Sequence, residues 1–351
     1  ITAENQPDSL AYEYFGTECS YKNLMRKIEE ISGAYHSIGV RKGDIVTIIM
    51  PNTPEAVISI YALNRIGAVA NILHPLSAQE EIKNHINRVK SKVLLSVDIC
   101  SEKIANIINE TSLKKVIVAS AGDSMPVVMK ALYALKCMKN FKYDKSDSRY
   151  ISWKDFSAKT KNVKEYKPTG EENKEVAVIL HSGGTTGTPK DVMLSNSNFN
   201  AFGIQAVRTL RDVKSGDKIL AVLPIFHGFG LGVCVHVSFC FGACSVLIPQ
   251  FNANKFAATL KKYKPTMIFG VPTLYDALLK AKGTDKIDFS FLKYAVSGGD
   301  TLPEKLEKSV NDFLAAHNSD IKICEGYGMT EGLAALSLSV GENYKSRTIG
   351  K

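Results

Sequence analysis

Residues His181 to Ser195 read HSGGTTGTPKDVMLS and follow directly on the apolar run VAVIL. Gly183, Gly184 and Gly187 permit backbone geometries that expose N–H groups, and Ser182, Thr185, Thr186 and Thr188 add hydroxyl donors. Such a nest suits phosphate oxygens, and Lys190 adds a point charge. It is not a Walker A loop, which needs Gly-Lys followed by Ser or Thr; here Pro189 precedes Lys190 and Asp191 follows it. Asp191 is the odd member, because a carboxylate beside a phosphate grip repels the ligand unless it points away or is paired.

Three further groupings carry chemistry. In YGMTE (327–331), the Tyr327 ring is suited to lie against a base, Thr330 to donate to a phosphate, and Glu331 to hold a Mg²⁺ whose other ligands are phosphate oxygens. SGGD (297–300) lets the backbone approach a flat ligand closely at Gly298, Gly299 and Asp300. His227, in PIFHGFG, is either a satisfied buried histidine or a polar group beside a reacting carboxylate. Cys234, His236, Cys240 and Cys244 lie close in sequence but match no compact zinc spacing, so they read as small buried residues.

These groups must be held by something, and the surrounding pattern says what. Strand-like and helix-like runs alternate with short joins, the signature of βαβ units and a largely parallel sheet. DIVTIIM (44–50) is a strand, PEAVISIYALNR a helix with Pro in its first turn, and SAQEEIKNHINRVK a helix that Ser77 is expected to cap, with Glu80 three residues on. KVLLSVD and KKVIVAS continue the strands. Residues 121–170 are less regular, with a helix around VVMKALYALKCMKN and then a polar excursion. From Val176 the alternation resumes, and LSLSVGENYKSRTIGK at the end reads as antiparallel strands. His181–Lys190, His227, Gly298–Asp300 and Tyr327–Glu331 all sit just after strands, at the rim where open α/β sheets bind ligands.

Hydrophobic residues make up 45% of the chain and charged residues 23%, which excludes the disordered and fibrous classes. Lys and Arg exceed Asp and Glu by 44 to 35, but without a long basic block, so nucleic acid is not an expected partner. Seven cysteines in a 351-residue chain do not form a disulfide framework, and ITAENQPDSL carries no leader; both point to the cytoplasm. Between Lys218 and Lys255 no charged residue occurs, a length that meets a membrane criterion. Pro224, His227, His236, Pro249 and recurring glycines favour instead a buried strand, a turn, a buried helix and another buried strand.

Taken together, GVRKGDIVTIIMPNTPEAV, HSGGTTGTPKDVMLS, LPIFHGFG, AVSGGDTLP and EGYGMTE resemble, in order and spacing, the adenylate-forming superfamily of acyl-CoA synthetases, adenylation domains and firefly-type luciferases. The resemblance covers essentially the whole chain. It implies an α/β fold: a large N-terminal domain of stacked, mostly parallel sheets and helices, with a small β-subdomain beginning at the C-terminus. Residues 45–205 would form a first subdomain, 1–44 and 206–335 a second, and 336–351 the start of the β-subdomain. Ser182 to Lys190 match the loop that meets the pyrophosphate part of ATP. Gly298, Gly299 and Asp300 match the segment beside adenine. Glu325, Gly326, Tyr327, Gly328 and Met329 lie in the nucleotide-binding EGYGMTE segment, with Tyr327 near the base. Thr330 matches the contact to the α-phosphate, Glu331 the Mg²⁺ ligand, and His227 the residue at the mouth of the acyl pocket. Asp191 departs from the family, which usually has glycine there. A ribose-binding aspartate, a hinge and a mobile C-terminal domain with a catalytic lysine would lie past Lys351.

The implied chemistry joins a carboxylate to AMP with release of pyrophosphate, then transfers the acyl group to coenzyme A. TMIFGVPTLYDALL resembles fatty-acyl-CoA synthetases more than amino-acid adenylation domains, and no acid between Lys218 and Lys255 greets a substrate ammonium. A medium- or long-chain fatty acid is the leading substrate and an aryl acid the second. A module loading carrier-protein phosphopantetheine, a luciferase-like oxygenase and a non-catalytic nucleotide- or acyl-binding protein are the alternatives. Beyond the carboxylic acid and the C-terminal domain, a membrane surface and a second copy of the chain are the weaker expected partners.

Overall fold

The computed structural model describes residues 1–137, 146–160, 175–182, 190–341 and 344–350. Its strands in chain order are β1 (Leu10–Tyr14), β2 (Thr17–Ser20), β3 (Ile45–Ile49), β4 (Val69–Ile72), β5 (Val93–Val97), β6 (Lys115–Ala119), β7 (Tyr150–Ser152) and β8 (Val176–Ser182). β9 (Lys190–Ser195), β10 (Lys218–Ala221), β11 (Cys244–Leu247), β12 (Met267–Gly270), β13 (Tyr294–Ser297), β14 (Cys324–Gly328) and β15 (Ala335–Leu338) complete them. The chain divides into two compact units. The first holds residues 14–18 and 22–197; the second holds 1–13, 19–21 and 198–351.

The first unit is built on a seven-stranded sheet in the order β7-β6-β5-β3-β4-β8-β9. Its strand pairs are parallel except for β8 with β9, which form an antiparallel pair at one edge. The central strands IVTII, VLLSV and KVIVA are near-continuous apolar runs because both faces are covered: Val46, Ile48, Leu94, Leu95 and Ile117 are wholly buried. Helix Pro54–Arg65 begins with Thr53, whose side chain accepts from the Ala56 amide at 3.4 Å. Helix Gln79–Arg88 departs from expectation, for its cap position is Ala78 and no side chain caps it. The Ser77 carbonyl instead accepts from Lys103 Nζ at 2.8 Å.

Most of helix Tyr21–Ser37 also belongs to this unit rather than to the other, as the sequence reading had placed it. The reason is local: Ser32 Oγ reaches the Ala62 carbonyl at 3.1 Å, and Glu29 pairs with Arg65 at 3.5 Å. β4 and β5 flank β3 on opposite sides, so the chain reverses direction across the sheet there. Two buried acids stand at that rim, Glu55 just past β3 and Asp98 just past β5. Ser124 Oγ donates to Glu55 Oε1 at 2.5 Å. Ser120 Oγ and Tyr133 Oη donate to the two oxygens of Asp98 at 2.8 and 3.2 Å. Burial pushes the Glu55 carboxyl up to about 7 and raises that of Asp98 as well.

The second unit is built on the eight-stranded sheet β15-β14-β13-β12-β10-β11-β1-β2. Its core gathers Leu220, Phe256, Leu260, Tyr275, Phe289 and Leu314. Tyr275 Oη lies 2.8 Å from the Ile268 carbonyl and 2.9 Å from that of Val296, which ties its helix to two strands. The uncharged stretch becomes β10, a turn, a π-helical segment Phe229–Val237, a short helix Ser238–Phe241 and β11. Among the described residues no helix is long and apolar enough to cross a membrane. The residues expected to open a separate β-subdomain start instead with β15, which pairs antiparallel with β14 (Gly326 with Leu338, Tyr327 with Ser337) and so extends this sheet at its edge.

Candidate functional site

In the second unit a cavity of about 630 Å³ opens at the carboxyl ends of β10, β12, β13 and β14. Its lining includes His227, Gly298, Gly299, Gly326, Tyr327, Gly328, Met329 and Thr330, eight residues singled out in the sequence. Deeper apolar surface comes from Phe202, Leu210, Leu223, Val237, Phe269 and Val296. No Asp, Glu, Lys or Arg is among the described lining residues.

The cavity rim depends on close backbone approach. A side chain at Gly228 would run into the Leu333 carbonyl, and one at Gly328 into that of Ala334. His227 is exposed beside this turn, with the Phe226 ring 4.7 Å from its own, and so is not a buried structural histidine. Tyr327 is 48% exposed, leaving a ring face for a ligand to cover. Thr330 opens a short helical turn, Thr330–Gly332, in which Glu331 is exposed. Asp300 and Glu325 serve the loop itself: Asp300 Oδ1 accepts from the Thr301 amide at 2.8 Å, and Glu325 Oε1 from that of Leu302 at 3.1 Å. Asp300, Glu325 and Glu331 do not line the cavity.

The residues expected to form the phosphate loop belong to the first unit. Ser182 ends β8 and Lys190 begins β9, and the two face each other across the antiparallel pair. Gly183, Gly184, Thr185, Thr186, Gly187 and Thr188 lie outside the described residues. The next pair down the hairpin is His181 with Asp191. Successive strand residues point to opposite faces, so Lys190 and Asp191 are directed away from each other. Lys190 is exposed, while the Asp191 side chain is 23% exposed.

Asp191 is also paired. Arg88 Nη2 lies 2.6 Å from its Oδ1, and His181 Nδ1 2.8 Å from the same oxygen. His181 Nε2 is 2.8 Å from Asn71 Oδ1, and Asn71 in turn donates to Thr47 Oγ1 at 3.1 Å. Two oxygens beside one imidazole favour its protonation. Burial and the neighbouring His85 outweigh them, and the His181 ring is taken down to about 4. Burial, then Arg88, lower His85 too. At neutral pH both rings are neutral and the Arg88 guanidinium lies on Asp191, while the Glu81 carboxyl is 3.8 Å from His85 Nε2. Asp191 is thus met by a cation where it stands.

His85, His181 and Asp191 bring potential metal-ligand atoms within 4.8 Å of one another. The Arg88 guanidinium already fills that space, 2.7 Å from His85 Nδ1 and 2.6 Å from Asp191 Oδ1. A cation bound there would have to displace it.

Sequence reading missed Arg88, His85 and Asn71, which lie 103, 106 and 120 residues from Asp191 with no local pattern to link them. It also missed the contribution of helix Asn196–Thr209 to the cavity, through Phe202, Gln205 and Ala206. The only clue was that helix's proximity in sequence to the glycine-rich loop.

A family model described as AMP-binding enzyme matches residues 1–351. Among curated proteins, the chain is 27% identical over 336 residues to a long-chain-fatty-acid–CoA ligase of Bacillus subtilis, covering 94% of this chain and 58% of that protein. It is 27% identical over 332 residues to 4-coumarate–CoA ligase 4 of Arabidopsis thaliana, covering 93% and 54%. Among solved structures, an anthranilate CoA ligase in complex with anthranoyl-AMP superposes with a TM-score of 0.85 at 20% identity, over 100% of this chain and 63% of that one. The fold is that of the N-terminal domain of adenylate-forming enzymes. The chain thus spans little more than half the length of the curated relatives it matches.

Proposed function

The chain belongs to the AMP-binding enzyme family, and from that premise we propose that it is the nucleotide- and acid-binding part of an AMP-forming acyl-CoA ligase acting on a fatty acid. The observation that carries the substrate class is the cavity: about 630 Å³, apolar in depth and without a charged residue in its described lining. An amino-acid substrate would need a carboxylate there to meet its ammonium group, since an unpaired buried charge is costly. The aliphatic and aromatic walls suit an acyl chain.

In the proposed reaction a carboxylate oxygen of the acid attacks the α-phosphorus of ATP, the bond to the bridging oxygen breaks, and pyrophosphate leaves. No protein nucleophile is required, because the carboxylate is already anionic. Lys190 meets charge on the departing pyrophosphate, and Thr330 donates to the phosphoryl oxygens. Gly298 and Gly299 admit adenine against the backbone and the Tyr327 ring covers it. The exposed, oxygen-donating Glu331 fits a Mg²⁺ ion and would hold it; when bound, the ion neutralises phosphate charge. With Arg88 paired to Asp191, the exposed Lys190 is left to meet the phosphates. Coenzyme A is the proposed acceptor in the full-length parent, and a carrier-protein thiol the alternative.

Pyrophosphate exchange by the parent protein across a ladder of fatty acids tests this. Each methylene buried in the cavity should tighten the acid by about 0.8 kcal/mol, roughly fourfold, until the chain meets the wall. Lys190→Ala and Glu331→Ala should each collapse exchange. The similarity to a coumarate ligase, with Phe202 and Phe269 in the cavity, favours an aryl acid as second reading. A flat response to chain length with strong exchange on cinnamic acids would select it, and exchange with amino acids alone would defeat both.

A further inference from the structure

The cluster at the base of the β8–β9 hairpin has the donors of a metal site, with a monovalent cation among them. Three elements meet there: helix Gln79–Arg88 brings His85, β8 brings His181 and β9 brings Asp191. His181 Nδ1 lies 2.8 Å and His85 Nδ1 3.8 Å from Asp191 Oδ1. Tetrahedral zinc, with bonds of ~2.0–2.1 Å, holds its ligand atoms about 3.4 Å apart, and the two separations bracket that value.

Both imidazoles are backed in the way metal-bound imidazoles are. Asn71 Nδ2 donates to Thr47 Oγ1, which turns its Oδ1 to His181 Nε2 at 2.8 Å. Behind His85, Glu81 Oε1 stands 3.8 Å from Nε2. An oxygen behind Nε2 holds the ring proton there and leaves Nδ1 as a lone-pair donor. Burial keeps both rings neutral at pH 7, the form a metal binds. With its proton on Nε2, His181 presents Nδ1 to Asp191 Oδ1 as one acceptor to another, a contact that calls for a cation bonding both. Among the described residues Arg88 meets His85 and Asp191 but not His181, so it answers only part of this need. Its side chain is 44% exposed and has water to swing into.

We propose that His85, His181 and Asp191 form a zinc site in which Zn²⁺ replaces the Arg88 guanidinium, with water as the fourth ligand. Two imidazole nitrogens and one carboxylate oxygen select a borderline ion such as Zn²⁺ over Mg²⁺, which takes oxygen ligands. The bound ion ties helix Gln79–Arg88 to both strands of the hairpin.

Titration of the 351-residue chain with Co²⁺, a coloured stand-in for zinc, tests the proposal. Visible bands of a tetrahedral ion should appear without a thiolate charge-transfer band, which separates this site from the cysteines. Zn²⁺ should abolish the bands and excess Mg²⁺ should not. His181→Ala should weaken binding at least about tenfold. Arg88→Ala should tighten it about tenfold, because the competing cation is gone. That variant deletes no ligand, so it decides the matter even if His181→Ala fails to fold. Failure of the wild type to bind Co²⁺ would overturn the proposal, as would a thiolate band, displacement by Mg²⁺, or Arg88→Ala binding no tighter than wild type.

Discussion

Two groups of acids in the first unit, one buried and one partly buried, meet the same electrostatic problem in opposite ways. Glu55 and Asp98, at the ends of β3 and β5, have no cation within ion-pair distance among the described residues, and burial raises both. Asp191, at the base of the glycine-rich hairpin, has Arg88 at 2.6 Å. The first cluster is met by hydroxyls; the second is met by a guanidinium. The difference follows the neighbourhood. At the strand rim serine hydroxyls donate to both carboxyls. At the base of the hairpin a guanidinium, which keeps its charge at any working pH, lies against Asp191.

The largest expected effect separates the clusters by pH. The folded chain keeps Glu55 protonated up to about pH 7, whereas the unfolded chain releases that proton near the ordinary 4.5. Stability from this group is therefore highest in acid, falls as pH rises through that window and levels off above it. Glu55→Gln should remove the slope and stabilise the protein above pH 7 by about 3 kcal/mol at most, read from denaturant melts at pH 5 and pH 8. An unchanged slope would mean that Glu55 ionises freely, and the contrast would fail.

Next in size is Arg88→Ala, which strands a mostly buried Asp191. A loss of about 2 kcal/mol in stability is expected, with weaker ATP binding. Arg88→Ala/Asp191→Ala should recover part of both, by calorimetry and melting; a double variant worse than the single would show that Arg88 acts otherwise. Asp98→Asn should stabilise above neutral pH in the same direction as Glu55→Gln but by less, because hydrogen bonds from Ser120, the Ile99 amide and Tyr133 already favour its charged form. The smallest effect is that of salt. Arg88 is 44% exposed, so molar salt should weaken its pair with Asp191 by a few tenths of a kcal/mol and leave the Glu55 slope unchanged.

The alternation of strands and helices was legible because buried parallel strands must be continuous apolar runs, and β3, β5 and β6 are. The residues around the cavity were legible because glycine, tyrosine and threonine at the carboxyl end of a strand have few structural reasons to be there. What sequence hid was pairing at a distance. Nothing near Asp191 announces Arg88, and nothing near Tyr21 says that Ser32 will bond Ala62. Ser77 looked like a cap because the capping pattern is local, yet its carbonyl is taken by Lys103 from another helix. The β15 residues looked like a new subdomain because antiparallel alternation is the same whether a strand starts a sheet or finishes one.

The β8–β9 hairpin also sets a rule for how this loop can change over evolutionary time. Ser182 faces Lys190 and His181 faces Asp191, so the hairpin has a parity. A slip of β9 by a single residue would exchange lysine and aspartate between the two faces of the sheet, pointing the carboxylate where the ammonium had been and parting Asp191 from Arg88. The two ends of the loop are not free to lose step.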